Sequence, residues 1–554
     1  MLVAGAAALG SAALGWPVSA LAADQPPLTA DGPFTRSTVT EIARALSKTA
    51  YVPPSQDLPA GVAALTPDQY HAIHYRPDAA IWANDGLPFE LQFFHRGSFY
   101  RDKVELAVVD PNSNAHHVAY SPTMFTSAQP LPKPLPADDI GFAGFRISGH
   151  INGPDVMDEI AVFEGASYFR SLGKGQVYGI SARGLALKVG AADGEEFPIF
   201  RAFWVETPEK GSDSISVHAL LDSKSVTGAY RFTIRPGLPT VMDVETTLFP
   251  RLDLTAPGLA VGTSMFFFDT NGRGAVDDWR PEVHDSDGLL MLNGLGERLW
   301  RPLTNPKSLQ FSAFLDNGPR GFGLMQRDRD FASYQDFDAD YERRPSLWIE
   351  PVGDWGKGSV ALVEIPSTSE SNDNIVAYWQ PADAIKAGSE FSYAYRMFWG
   401  NGPALPGMIV TASRQGQADP KKPATVRHFV IDYTATGVTD GNQPVPAPTA
   451  AAPIPISPAT PSATPASATT QASAAPATAE DPPTSADSAQ DPRPVVNASA
   501  GQIGNVWMEP NPVTGGWRLS FDLDPQKAPL VELRVEIKYP DKRPADIWLY
   551  RWTA

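Results

Sequence analysis

Hydrophobic residues alternate with polar ones along much of this chain, and this two-residue period constrains its fold more than any other feature. The clearest example is the stretch "VELRVEIKYP", in which Glu, Arg and Lys alternate with apolar residues. Successive side chains of a β-strand point to opposite faces, so the pattern predicts a half-buried strand with a charged outer face. The apolar face carries Val531, Leu533, Val535 and Ile537.

Two earlier stretches, "PFELQFFHRG" and "TGAYRFTIRPG", show the same alternation. Their predicted inward residues are Phe89, Leu91 and Phe93 in the first, and Tyr230, Phe232 and Ile234 in the second. Gly, Pro and Asp residues separate such runs, which indicates antiparallel sheets. The predicted fold class is therefore all-β, of the sandwich type.

One short helix is predicted near the start of the folded region, in "RSTVTEIARALSKTA". Its apolar residues recur at helical spacing, and Thr38 and Glu41 are set three residues apart as a capping box. The predicted inward face consists of Val39, Ile42, Ala43 and Leu46.

Length and charge narrow the class of protein. At 554 residues the chain exceeds the size of a single hydrophobic core, so at least two domains are expected. A net charge of -18 argues against binding to nucleic acid or to an anionic membrane, whereas a neutral carbohydrate is unaffected by that charge. There are no cysteines, and the nine histidines form no HExxH pair, so we predict neither a metal site nor a cofactor.

The N-terminal run, rich in Ala and Gly, predicts export. Residues 1–22 end in "ALA" before Ala23, which is typical of a signal-peptidase site. A membrane anchor would need roughly 20 strongly apolar residues, and this run is broken by Pro17. We therefore expect an export signal remnant, followed by a mature chain without a membrane span.

The segment 444–494 differs from the rest in composition. It is rich in Pro, Ala, Ser and Thr and contains no Phe, Trp or Tyr, so it lacks the apolar surface that would offset the entropy of ordering. We expect it to be disordered. It is either a linker to a separate C-terminal piece or an insertion in one domain. The tail from Val495 is short for an independent β domain, which favours the insertion.

Three acidic clusters are the candidate sites, in "RPEVHDSDG", "YQDFDADYERRPS" and "SESNDNIVAYW". "DFDAD" resembles the start of a calcium loop, but Tyr341 stands where that loop needs Gly and Leu347 where it needs Glu. A metal-bound nucleotide-sugar site through Asp285 and Asp287 would need an α/β pattern that the chain lacks. For the third cluster, which precedes an apolar strand, a solvated turn is the simplest interpretation.

Paired carboxyl groups also suit the cleavage of a glycosidic bond, which needs one acid for the leaving oxygen and one carboxylate for water. Tryptophans concentrate in the same third of the chain, and sugars stack on aromatic faces, although core packing is the commoner role of a Trp. They are Trp279, Trp300, Trp348, Trp355, Trp379 and Trp399. Residue chemistry alone thus points to an exported, β-rich carbohydrate-active or carbohydrate-binding protein.

Ten stretches in order resemble the osmoregulated periplasmic glucan biosynthesis proteins, OpgG and OpgD (also called MdoG and MdoD). They are "GFAGFRI", "GASYFRSLGKGQVYGISARGLA", "GEEFP", "LLDSKSVTGAYRF", "TSMFFF", "RPEVHDSDGL", "WRPLTNP", "GFGLMQRDRDF", "WGKGSVALVEIP" and "NDNIVAYW". The resemblance runs from about Phe34 through "NPVTGGWRL", and the Ala-rich start leans toward OpgD.

This resemblance implies a galactose-mutarotase-like β-sandwich over 34–407 and an immunoglobulin-like β-sandwich over 408–554, the latter interrupted by 444–494. It also implies a periplasmic, anomer-inverting enzyme acting on β-1,2-glucan. By the same resemblance, Asp373 is the general acid and Asp285 is a second essential carboxylate near the attacking water. Tyr341, Arg344 and Glu370 are implied to bind substrate or relay protons.

Two alternatives stay open from the sequence. Some members of the family use the scaffold to close β-1,2-glucan into rings by transglycosylation. A non-catalytic glucan-binding partner of the inner-membrane glucan synthase is the other alternative. The intact acidic motifs favour an enzyme, because a binding groove needs no pair of carboxyl groups.

Overall fold

The computed structural model describes residues 28–436 and 492–554, and across them the all-β prediction is confirmed. The described chain divides after Gly402 into two compact units. The domain boundary predicted from the sequence was at residue 407. The predicted export signal, residues 1–22, lies outside the described residues. Within those residues, no helix is long and apolar enough to cross a membrane.

The first unit is built almost entirely of strands. In chain order they are β1 (Gly32–Pro33), β2 (Ile73–Tyr75), β3 (Phe89–His95), β4 (Glu105–Val109), β5 (Asn114–His117), β6 (Phe125–Ser127), β7 (Phe142–Gly149), β8 (Asp158–Glu164), β9 (Tyr168–Ser171), β10 (Ser181–Arg183), β11 (Ala186–Leu187), β12 (Ile199–Glu206), β13 (Ile215–Asp222), β14 (Val226–Arg235), β15 (Thr240–Pro250), β16 (Pro257–Ser264), β17 (Phe266–Phe268), β18 (Val283–His284), β19 (Gly288–Leu292), β20 (Arg298–Pro302), β21 (Gln310–Asn317), β22 (Gly321–Met325), β23 (Ser346–Val352), β24 (Lys357–Glu364), β25 (Ile375–Pro381) and β26 (Phe391–Gly400).

Two of its sheets face each other across an aromatic core. One contains the run β12-β13-β14-β15-β26-β23-β22-β19-β20, and the other has the order β21-β24-β25-β16-β10-β9-β8-β7-β3. Phe145 and Phe163 of the second sheet meet Phe203 of the first with ring centroids 5.0 and 5.4 Å apart. Phe232 lies 5.1 Å from Phe169 in the same way. The strands predicted in "PFELQFFHRG" and "TGAYRFTIRPG" are confirmed as β3 and β14, and their predicted inward residues are buried.

Helices are short and connect or cover the strands. They are α1 (Thr38–Leu46), α2 (Ala60–Ala63), α3 (Pro67–His71) and α4 (Phe331–Tyr334), with 3-10 turns at Pro77–Ala79, Pro122–Met124 and Tyr341–Arg343.

The predicted helix is confirmed as α1, which buries Val39 and Ala43. Its predicted capping box is wrong, because the helix is preceded by Ser37 and Thr38 is already its first residue. The Thr38 hydroxyl accepts a hydrogen bond from the Thr35 backbone N–H at 2.8 Å, so it serves the preceding turn instead.

The second unit contains β27 (Gly407–Gln417), β28 (Arg427–Thr436), β29 (Arg493–Ala498), β30 (Gln502–Asn511), β31 (Gly516–Asp524), β32 (Leu530–Lys538) and β33 (Ile547–Thr553). One sheet has the order β27-β28-β31-β30, and β32 pairs with both β29 and β33. Phe429 and Phe521 from the sheet pack against Trp548 at 5.9 and 6.3 Å. The strand predicted in "VELRVEIKYP" is confirmed as β32, with its apolar face buried.

The predicted insertion, 444–494, lies outside the described residues apart from its last three. Arg493 and Pro494 belong to β29, where they pair with Lys538 and Ile537 of β32. The predicted C-terminal end of the segment is therefore too late. Composition did not reveal it because proline is tolerated near the start of a strand.

Candidate functional site

The end of β16 places two of the candidate carboxyl groups in one region. Ile375, the first residue of β25, pairs with Ser264 of β16, and the neighbouring Thr263 pairs with Ser181 of β10. Asp373 precedes β25 by two residues, so it reaches this end of the sheet beside Ser181. The chain turns next into β17 and β18, which bring in the second carboxyl group.

Asp373 is partly accessible and lightly held. Its Oδ2 accepts a hydrogen bond from the Ser181 hydroxyl at 3.4 Å and lies 3.9 Å from Nη2 of Arg170. The side chain keeps 26% of its exposure. Burial raises the pKa of Asp373 and the charge of Asp285 adds to that rise, against the opposing effects of Arg170, Arg183 and Ser181. A raised pKa favours the protonated form, which is the form that a general acid needs.

Asp285 lies directly after β18 in a different environment. Its backbone N–H donates to the Met265 carbonyl at 2.8 Å, and its carboxylate forms an ion pair with Nη1 of Arg344. Both side chains are buried. A buried ion pair of this kind fixes the orientation of the carboxylate, because separating the two charges is costly in a medium of low dielectric constant.

Arg344 is fixed on several sides. Its guanidinium group lies 4.1 Å from the ring centre of Tyr341 and donates to the Ala339 carbonyl at 3.1 and 3.0 Å. Burial lowers the pKa of Arg344, but Asp285, Tyr341 and Glu370 together outweigh burial, and the pKa of Arg344 is raised. Gly179 makes room for it, since a Cβ there would lie 2.7 Å from Cδ of Arg344.

Tyr341 and Glu370 connect this ion pair to the surface. The Tyr341 hydroxyl donates to Oε2 of Glu370 at 2.9 Å, and Nη1 of Arg280 donates to the same oxygen at 2.8 Å. Burial raises the pKa of Tyr341, which keeps its proton available for donation. Glu370 is 41% exposed. Arg280 also binds Asp278 and Asp336, and we call these four charged residues the Arg280 cluster.

Asn374 joins the two halves of the site. Its Oδ1 accepts from the Phe266 backbone N–H at 2.8 Å, and its Nδ2 donates to the carbonyls of Phe266 and Ile365 at 2.9 and 3.0 Å. Phe266 in turn pairs with His284, the residue before Asp285. The side chain next to Asp373 is thus bound to the strand that positions Asp285.

His284 is buried and supports the same region. It contacts Oε2 of Glu282 and Oε1 of Gln326, each at 3.0 Å. Burial lowers its pKa, but Glu282, Asp287 and Asp269 together more than compensate, and the net effect raises the pKa of His284 to about 9. Gln326 donates to the carbonyls of His284 and Tyr341 at 3.0 and 3.1 Å, so it holds the two backbones together.

The nucleotide-sugar alternative gains no support from the geometry. Asp287 accepts from the backbone N–H groups of Arg327 and Asp328 at 3.0 and 3.1 Å, whereas Asp285 binds Arg344. The two carboxylates thus have separate partners. Across 28–436 and 492–554, no group of three or more histidine or acidic side chains could hold a metal ion.

The structure therefore brings together all five predicted site residues, in two groups. Asp373 accepts a hydrogen bond from Ser181. In the other group, Asp285 contacts Arg344, Arg344 lies on the ring of Tyr341, and Tyr341 donates to Glu370. Their catalytic and binding roles stay predictions.

Sequence reasoning missed several partners, namely Arg170, Ser181, Arg280, Gln326 and Asn374. All five lie inside stretches that carried the family resemblance, but nothing in the local pattern of those stretches shows what their side chains contact.

Comparisons with known proteins agree on one family. The family model described as "Periplasmic glucan biosynthesis protein, MdoG" matches residues 34–481 and 477–552. "Glucans biosynthesis protein G" of Vibrio cholerae serotype O1 is 50% identical over 524 residues, covering 94% of this chain and 87% of that protein. The protein of the same name from Shewanella baltica is 50% identical over 527 residues, covering 95% and 88%. Both relatives carry the G name, and the leaning toward OpgD stays a prediction.

A solved polysaccharide lyase aligns with a TM-score of 0.18 and 8% identity, covering 72% of this chain and 42% of its own. A likeness this low supports no conclusion about fold or function.

Proposed function

The chain belongs to the periplasmic glucan biosynthesis protein family MdoG, and from that premise we propose that it cleaves β-1,2-glucosidic bonds with inversion of the anomeric carbon. The family name assigns a role in glucan synthesis in the periplasm. The substrate is β-1,2-glucan, and the inner-membrane glucan synthase is the proposed protein partner. No metal or cofactor takes part in the proposed reaction.

One observation carries the proposal, namely that two neighbouring carboxyl groups have unlike surroundings. Asp373 is partly exposed and its pKa is raised, while Asp285 is buried against Arg344. The charge of Asp285 contributes to the raised pKa of Asp373, so the two groups interact electrostatically. Two carboxyl groups in unlike surroundings are the usual arrangement for an acid and a base in one site.

In the proposed reaction, Asp373 gives its proton to the glycosidic oxygen as the bond from that oxygen to the anomeric carbon breaks. Water attacks the opposite face of that carbon, and the proton that water releases passes to a carboxylate. The β-bond is thereby replaced by an α-hydroxyl group. Asp373 ends as a carboxylate and recovers its proton from solvent through its exposed fraction.

Two routes are available for the proton that water releases. Asp285 is the proposed acceptor when water reaches it directly. In a relay, the Tyr341 oxygen would take that proton while its own hydroxyl proton moves along the 2.9 Å hydrogen bond to Glu370. Glu370 is 41% exposed and can return the proton to solvent.

The test is to incubate the purified protein with linear β-1,2-glucan and to observe the anomeric protons by NMR before mutarotation. The expected first product carries an α reducing end. A first product with a β reducing end would overturn the inverting scheme and would make Asp285 a nucleophile.

Mass spectrometry of the same samples separates hydrolysis from ring closure. Hydrolysis adds the mass of one water per cleavage, whereas a ring retains the mass of its glucosyl residues alone. Binding of the glucan without any product would leave the protein as a non-catalytic partner of the synthase.

A further inference from the structure

Two aromatic side chains beside the Arg280 cluster are turned toward solvent. Trp279 is 69% exposed and Phe337 is 83% exposed. Each adjoins a member of the cluster, because Trp279 precedes Arg280 and Phe337 follows Asp336. Burial of an aromatic ring is among the larger stabilising contributions available to a chain, so two exposed rings at one charged cluster point to a ligand.

The other tryptophans of this part of the chain behave differently. Of the six singled out in the sequence, Trp300, Trp348, Trp379 and Trp399 are buried in the core and Trp355 is half-buried. Trp279 is thus the exposed member of the set. Packing of the core explains the positions of the buried tryptophans but does not explain the exposed position of Trp279.

Hydrogen bonds hold the backbone that follows Trp279. Oδ1 of Asp278 accepts from the backbone N–H and from Nε of Arg280 at 2.9 and 3.0 Å. Nη1 of Arg273 donates to the Arg280 carbonyl at 2.8 Å. An exposed side chain on a fixed backbone loses little conformational freedom when a ligand covers it, so this arrangement suits binding.

Phe337 is presented in a similar way. Oδ1 of Asp336 accepts from the backbone N–H groups of Asp338 and Ala339, each at 3.0 Å, which fixes the turn that carries the ring. One side of the ring contacts Phe331 at 4.7 Å between centroids. The exposed remainder is available to a second flat partner.

The Arg280 cluster links these rings to the candidate catalytic groups. Nη1 of Arg280 contacts Asp336 at 2.9 Å and Glu370 at 2.8 Å. Glu370 accepts from Tyr341, on whose ring Arg344 lies. A ligand that covers Trp279 and Phe337 would therefore lie beside a series of contacts that reaches Asp285 through Glu370, Tyr341 and Arg344.

We propose that Trp279 and Phe337 form an outer glucan-binding subsite, on which glucosyl rings away from the bond being cleaved stack. The proposal rests on the proposed function, because it takes β-1,2-glucan as the ligand. A pyranose ring presents C–H groups on its faces, which suit an aromatic surface. It carries no charge, so the net charge of the protein does not repel it. The subsite holds long chains and is not reached by the shortest ones.

The first experiment compares Trp279→Ala and Phe337→Ala with the wild type on long and short β-1,2-glucans. For long chains we expect KM to rise about 2- to 10-fold with kcat nearly unchanged, because stacking on a remote ring stabilises the bound substrate and the transition state equally. For the shortest substrate that is cleaved, kcat/KM should stay at the wild-type value. Trp279→Phe should recover most of the affinity.

Trp507→Ala is the matched control, since Trp507 is a 54% exposed tryptophan on β30 of the second unit. It should behave as the wild type on both substrates. If Trp279→Ala and Phe337→Ala cleave long chains with the same KM as Trp507→Ala, the subsite is refuted. The proposed function stands in that case, because the glucan is still cleaved.

The second experiment measures binding without turnover, by calorimetry on Asp373→Asn with long β-1,2-glucan. Adding Trp279→Ala or Phe337→Ala to that variant should weaken binding about as much as it raises KM. If the wild type never cleaves the glucan but binding still depends on both rings, the proposed function fails and the subsite holds. If binding is absent or independent of both rings, the subsite is overturned.

Discussion

Asp373 and Asp285 are residues of one type in one region, but they differ in exposure and in the distance to the nearest arginine. Asp373 retains 26% exposure, and its charged neighbour Arg170 lies 3.9 Å away. Asp285 is buried and in direct contact with Arg344. In the first environment burial raises the pKa of Asp373 against the opposing charge of Arg170, and in the second a buried carboxylate contacts its counter-ion directly. The difference separates a group whose raised pKa favours the protonated form that an acid needs from a carboxylate that its counter-ion holds in position.

The largest expected effect is on turnover, from Asp373→Asn. Loss of a positioned acid should lower kcat about 10²- to 10⁴-fold, while the free energy of unfolding stays within about 1 kcal/mol because Asp373 is lightly held. Turnover of glucan and urea denaturation measure the two quantities. Asp338→Asn, at an exposed carboxyl group of a neighbouring acidic cluster, is the control and should change neither. Near-normal turnover in a folded Asp373→Asn variant would refute the assignment of Asp373 as the general acid.

Asp285→Asn should instead lower stability as well as activity. It leaves Arg344 buried without its counter-ion, which costs about 3–5 kcal/mol, and urea denaturation should show that loss. Arg344→Met added to Asp285→Asn should restore much of the stability but none of the activity. If Asp285→Asn proves as stable as Asp373→Asn, the contrast between the two carboxyl groups is wrong.

Gly179→Ala tests the Asp285 side without altering a charge. A Cβ at this position meets the Cβ, Cγ and Cδ atoms of Arg344 at 2.7 to 3.0 Å, so the side chain that binds Asp285 must shift. We expect a loss of about 1–3 kcal/mol in stability and a fall in kcat. Gly272→Ala, where nothing lies within 4 Å of the added Cβ, is the matched control and should retain wild-type values. Unchanged kcat in Gly179→Ala would show that the position of Arg344 is irrelevant to turnover.

The smallest effect concerns the pH profile, through Arg170→Gln. A general acid must be protonated, so activity falls as the pH rises through the pKa of Asp373. The positive charge of Arg170 lowers that pKa, and its removal should raise the pKa and move the alkaline limb of kcat/KM to higher pH. Arg320 is an exposed arginine. The control variant Arg320→Gln should leave the alkaline limb of the pH profile at its wild-type position. A downward shift in Arg170→Gln would contradict Asp373 as the acid.

Local pattern was sufficient to predict three strands and one helix of the fold. Alternation predicted β3, β14 and β32, and helical spacing predicted α1, because these signals arise from which face of one element is buried. The predicted capping box was wrong, because Thr38 is the first residue of α1 and its hydroxyl accepts a hydrogen bond from the preceding turn. The end of the Pro/Ala-rich segment was also misplaced, because its last residues pair with β32, a partner far away in the sequence.

The sequence by itself determined the all-β class, the identity of the family and the candidate side chains, since composition, periodicity and motifs are all properties of short stretches. Only the tertiary structure decided what those side chains contact. Ser181 and Asp373 are separated by 192 positions, yet the pairing of β10 and β25 with β16 brings them into contact. The surroundings of Asp285 and Asp373 also differ because of strand pairing between distant parts of the chain. Burial and a neighbouring charge determine the pKa of a carboxyl group, and both are fixed by strands that come from elsewhere in the chain.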